Sequence, residues 1–135
     1  MLETMKKDDR ILAILYKPEK SKEKELNFIT PNDFSLQVGV HNRKKTEEIN
    51  PHKHKSHEHI LLPTQEFFYV DSGKVKVDVY DDKDKLFKTA ILEKGDFIIL
   101  NSAHGLTFLE DTRMIEIKQG PYPGKEKEKE YLKNV

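Results

Sequence analysis

The sequence predicts an all-β protein, an antiparallel barrel or sandwich of short strands, and three observations predict it. Apolar runs recur about every ten residues from Glu66 onward, with Gly, Asp, Asn and Ser clusters between them. One of these runs, Lys74–Tyr80, alternates strictly between valine and polar residues. No stretch carries a helical period over any length.

Taken in order, the first ten residues are polar and are expected to fray. Ile11–Tyr16 is a strand candidate. Lys17–Glu25, a charge run containing Pro18, reads as a solvated loop. Leu26–Thr30 is a short strand stopped by the turn residues Pro31-Asn32-Asp33. Phe34–His41 alternates, placing Phe34, Leu36, Val38 and Val40 on one face. Asn42–Asn50 is a polar loop, followed by the histidine-rich stretch Pro51–His59 and the apolar Ile60-Leu61-Leu62 before Pro63.

The remaining strands are better marked. Glu66–Asp71 is aromatic and β-branched, with Ser72-Gly73 as its turn. In Lys74–Tyr80 the side chains of Val75, Val77 and Val79 face inward, and Asp81–Lys85 forms the hairpin loop. Leu86–Leu92 and Asp96–Leu100 are joined by Glu93-Lys94-Gly95. His104–Leu109 and Arg113–Lys118 are joined by Glu110-Asp111-Thr112. Tyr69 and Tyr80 lie off the valine face, which favours a contact between chains over a place in a pocket. The tail Lys125–Glu130 is a frayed end or a short helix.

The chain has 135 residues, which fits a single domain over 1–135. Lysine plus arginine and aspartate plus glutamate both number 24, interleaved along the chain, so nothing like the basic stripe of a nucleic-acid binder is present. The apolar run at Ile11–Tyr16 is too short for a signal-peptide core or a bilayer span, so a cytoplasmic protein without membrane contact is expected. Cysteine is absent, so any metal must be held by nitrogen and oxygen.

Three features carry chemistry: His52-Lys53-His54, Glu66 and His104. On a strand, residues i and i+2 project to one face, so both imidazoles of the first would point the same way. Glu66 shares its face with Phe68 and Val70, and His104 shares its own with Leu106 and Phe108. An isolated carboxylate on such an apolar face is costly unless paired or coordinated. Three imidazoles and one carboxylate suit a divalent ion such as Mn, Fe(II), Ni or Zn. A solvent-exposed histidine loop is the plainer account of Pro51–His59 taken alone.

These residues resemble the cupin superfamily. Glu66-Phe67-Phe68-Tyr69-Val70-Asp71-Ser72-Gly73 keeps the spacing of the Glu and Gly in its first motif, and His52-Lys53-His54 is similar to the histidine pair. Gly95-Asp96-Phe97-Ile98-Ile99-Leu100 with His104 resembles the second motif. The run Ile115–Gly124 is similar to small cupins of polysaccharide and nucleotide-sugar pathways. The resemblance spans roughly Pro51 to Lys118. It implies a jelly-roll barrel (a double-stranded β-helix), a homodimer, and metal ligation by His52, His54, Glu66 and His104. Eleven residues separate His54 from Glu66, more than is usual in the family, and His57 and His59 offer the same spacing inside that gap. The second motif has Asn101-Ser102-Ala103 where Pro and Gly are usual. Three functions follow as expectations. One is a metal-dependent cupin acting on a small polar molecule such as a carbohydrate derivative. Another is a metal-free sugar-nucleotide isomerase or epimerase with His54 or His104 as base. The third is a binding or sensing module without catalysis.

Overall fold

A computed structural model of the protein describes residues 1–18, 27–58 and 64–133. In chain order its strands are β1 (Leu2–Lys7), β2 (Arg10–Tyr16), β3 (Asn27–Phe28), β4 (Gly39–Val40), β5 (Glu66–Ser72), β6 (Lys74–Tyr80), β7 (Leu86–Glu93), β8 (Phe97–Leu100), β9 (His104–Phe108) and β10 (Arg113–Lys118). The one helix among the described residues, α1 (Lys125–Glu128), is one turn long and lies where the tail was expected to be a frayed end or a short helix.

The strands form three antiparallel sheets, so the all-β expectation holds. One has five strands in the order β1-β2-β8-β5-β10, a second has three in the order β7-β6-β9, and the hairpin β3-β4 makes the third. The alternation of β6 sets the geometry. Val75, Val77 and Val79 are fully buried and meet Phe68, Val70, Ile98, Leu100, Leu12 and Leu15 from the five-stranded sheet across one core. Ala90 and Leu92 of β7 complete this layer.

The opposite face of the five-stranded sheet is also covered. Ile14, Tyr16, Phe97 and Ile99 form a second cluster, packed by Ile29, Phe34, Val38 and Val40 from the 27–40 segment. Tyr69, partly buried, packs there too. Burial on both faces accounts for β8 being an unbroken apolar run, Phe97-Ile98-Ile99-Leu100, and not an alternating one. Tyr16 stacks on Phe97 with ring centres 4.8 Å apart.

Two expectations are corrected. The first ten residues do not fray: β1 pairs with β2 from Leu2↔Tyr16 to Lys7↔Arg10, and Met5 is buried in the main core. A strand at the border of a sheet can be polar on its solvent side, which removed the apolar period from its sequence. Phe34–His41 is not a continuous strand. Only Gly39–Val40 pairs, because Gln37 draws the chain into a turn by donating from Nε2 to the Pro31 and Phe34 carbonyls, each at 2.8 Å. Among the described residues no helix is long and apolar enough to cross a membrane.

Candidate functional site

Glu66 is the first residue of β5, paired in register with Leu100 on one side and Lys118 on the other. Its parity with Phe68 and Val70 turns its carboxylate toward the space between the sheets, as the sequence predicts. His104 opens β9 in the facing sheet, opposite Val79. The two side chains meet across the gap, with Glu66 Oε2 2.8 Å from His104 Nε2. Glu66 is 14% exposed and His104 23%. Phe68 holds the imidazole edge-on at 6.0 Å between ring centres.

The other ring nitrogen is also engaged. Nδ1 of His104 lies 2.9 Å from the carbonyl oxygen of Ser102, an acceptor only, so Nδ1 carries a proton. When the ring carries its second proton, Nε2 donates to the Glu66 carboxylate and both nitrogens are satisfied. Burial opposes that charge, but the hydrogen bonds to Glu66 and Ser102 and the charge of Glu66 outweigh it, and the pKa of His104 is raised. The hydrogen bond from His104 likewise holds the Glu66 carboxyl below its ordinary range against desolvation, with further help from the charges of His104, Lys118 and Lys129.

The pair sits in an open cavity of about 810 Å³ at one end of the two sheets. Phe68, Leu106 and Met114 form its apolar floor, and Ser102, Gln119 and Lys118 are among its polar walls. Residues 120–123 and 127–132 close one side.

A chain of amides fixes the strand ends that carry the pair. Asn101 donates from Nδ2 to the Ile11 carbonyl at 2.9 Å, which leaves its Oδ1 to accept from Gln65 Nε2 at 3.0 Å. The Oε1 of Gln65 accepts from the Leu36 amide at 2.9 Å, and the Gln65 backbone N–H donates to Gln119 Oε1 at 2.8 Å. Gln65 and Asn101 are both buried. The network ties the starts of β5 and β9 to β2, to the end of β10 and to the 27–40 cover. Sequence reasoning missed these three amides, since an isolated Gln or Asn has no periodic signature. The absence of Pro and Gly at Asn101-Ser102-Ala103 was the available signal.

Of the four residues expected to hold metal, the structure brings Glu66 and His104 together. His52 and His54 lie elsewhere, in the exposed 41–58 stretch, which has no strand or helix, and they do not line the cavity. Their rings are 5.2 Å apart, and Nδ1 of His52 is 2.8 Å from the Asn50 carbonyl. His57 is placed similarly, with Nδ1 3.1 Å from the Lys55 carbonyl. His59, and with it the His57/His59 alternative, lies outside the described residues. Among the described residues no group of three or more His, Asp or Glu stands close enough to hold an ion.

Glu66 and His104 nevertheless suit two neighbouring ligand positions. Donors about 2.1 Å from one ion and at right angles to each other stand about 3 Å apart. A ligating histidine also characteristically donates its second N–H to a carbonyl, as His104 does to Ser102.

Comparison with models of known protein families, with curated proteins and with solved structures gave no match in any of the three.

Proposed function

We propose that this chain is a small cupin-type jelly roll that receives a small polar molecule, such as a carbohydrate derivative, in the cavity at Glu66 and His104. One observation carries the reading: the two side chains converge to 2.8 Å inside an open cavity, from opposite sheets. Perturbed acid–base pairs in clefts mark sites where protons or ligands are handled. Residues such as Phe68, Leu106 and Met114 supply apolar contact, and Ser102, Gln119 and Lys118 supply polar contacts that orient a ligand.

In the fuller form of this reading a divalent ion, one of Mn, Fe, Ni or Zn, is held by His52, His54, Glu66 and His104. Bound there, the ion would supply Lewis acidity toward a ligand oxygen. Glu66 and His104 offer adjacent donors, and the 41–58 stretch would have to swing its histidines to the cavity mouth. Metal content after loading and desalting tests this. One ion per chain, lost in both E66Q and the H52A/H54A double variant, supports the four-ligand site. Binding that survives in E66Q but vanishes in H52A/H54A places the ion on the exposed histidines alone and sinks the cavity metal.

A metal-free reading rests on the direct contact between Glu66 Oε2 and His104 Nε2 at 2.8 Å. Here Glu66 and His104 share a proton, and one of them exchanges it with the ligand. Turnover of a sugar nucleotide that survives chelation and falls with H104A supports it. Loss on chelation, restored by metal, rejects it.

A further inference from the structure

We infer that residues 120–132 form a hinged lid over the Glu66–His104 cavity, latched by the ion pair between Lys118 and Glu128. The inference rests on the cavity being the ligand site and adds how access to it is controlled.

Several observations lead there. This segment supplies one whole side of the cavity, through residues 120–123 and 127–132, and so Lys129 and Glu66 line the same space. Yet little holds it down. Among the described residues its backbone hydrogen bonds are both internal, from the amides of Lys127 and Glu128 to the Gly124 carbonyl. α1 is one turn long, with no side-chain cap at its start, and a helix of that length has no stability of its own. Tyr122 and Tyr131 stand largely in water.

The attachment to the sheets runs through Lys118. Its ammonium group pairs with the Glu128 carboxylate, and Tyr122 lies 5.8 Å from it, ring centre to nitrogen. Lys118 is also the register partner of Glu66 on β5, so latch and site share one strand position. Gly124, at φ +98° with no atom beyond its chain neighbours within 4 Å of where a Cβ would stand, is free to act as the hinge about which residues 125–132 swing, with 120–123 as the fixed rim of the lid.

The neighbouring Gln119 offers a hydrogen-bond donor to the cavity. Its Oε1 accepts from the Gln65 amide, so its Nε2 must be the donor end, and that nitrogen is buried without a partner. A ligand or water oxygen admitted to the cavity would meet that need.

The test uses the full chain without added ligand. Hydrogen exchange across 120–132 is compared in wild type, E128Q, and wild type in about 1 M salt, which weakens a part-buried ion pair less than an exposed one. In parallel, acylation of His104 by diethyl pyrocarbonate is measured at fixed pH relative to exposed His57. Both exchange and the His104/His57 ratio should rise about threefold to fivefold in E128Q, and in the same direction by less in high salt, as expected for losing or weakening one part-buried ion pair. Unchanged values in both conditions overturn the latch. Faster exchange with an unchanged ratio shows a loose tail that does not gate the cavity, and overturns the lid. The salt arm stands even if E128Q fails to fold. Neither readout depends on metal or substrate, so a failed metal or turnover test leaves this result separate.

Discussion

Glu66 and His104 form an ion pair between two facing sheets, with Oε2 and Nε2 2.8 Å apart. Their pKa values move in opposite directions from 4.5 and 6.5, downward for Glu66 and upward for His104. The contribution of Glu66 is present above 4.5 and is lost as pH falls through its depressed folded value. That of His104 is present below 6.5 and is lost as pH rises through its raised folded value. The pair therefore stabilises the fold most fully between these two ordinary values. In chelated protein, H104A should lower unfolding free energy by about 1–3 kcal/mol near pH 5.5, and by less at pH 3 and pH 9. Urea unfolding of both proteins across this range measures it. A deficit independent of pH would mean that His104 acts by packing alone.

Ile98 and Ile99 point to opposite faces of β8, and both are fully buried, Ile98 in the main core and Ile99 under the 27–40 cover. Truncation to Ala should cost about 2–5 kcal/mol at either position. Equal penalties in thermal or urea unfolding would verify that the cover excludes water from the outer face. An Ile99→Ala penalty well under that range would show the cover to be loosely seated.

The parts of this architecture that were legible in the sequence share a physical cause. β6 faces a core on one side and water on the other, so Val75, Val77 and Val79 alternate with Lys76 and Asp78 and announce their strand. β1 buries Met5 while Leu2 and its other residues stay at least partly exposed, so no period was visible. Of Phe34, Leu36, Val38 and Val40, read as one face, all but Leu36 pack on the second cluster, and Gln37 and Thr30 bend the chain through side-chain bonds to the backbone, which a hydrophobic pattern does not encode. At the site, Glu66 and His104 were legible because a polar group on an apolar face is conspicuous. His52 and His54 carried the spacing of ligands, but spacing projects two rings alike only on a strand, and theirs is not one.

Gln65 contacts three segments at once, so its loss should be felt beyond its own position. Q65A leaves the Leu36 amide without its acceptor and Asn101 Oδ1 without its donor. A destabilisation of about 1–3 kcal/mol is expected for orphaned buried groups. Amide exchange at Leu36 should accelerate along with it. If exchange at Leu36 is unchanged while stability falls, the network does not hold the 27–40 cover in place.

Gly73 and Gly95 test why the Glu66–Gly73 spacing matters. Both have φ +89°, where any L side chain is strained. They differ in surroundings. A Cβ on Gly73 would stand 2.3 Å from the Asp111 carbonyl oxygen and 2.7 Å from Thr112 Cα, which are backbone atoms, whereas one on Gly95 would meet only Pro18 at 3.6 Å. G95A should therefore cost about 1–2 kcal/mol, from the backbone conformation alone. G73A adds a clash between the β5–β6 turn and the β9–β10 turn, which must separate to relieve it, and should cost at least about 1 kcal/mol more. Because β5 and β10 pair from Arg113↔Ser72 through Lys118↔Glu66, a shift at Gly73 propagates along β5 toward the cavity. Equal penalties for G73A and G95A would show that the close approach of the two turns is not what requires glycine at position 73.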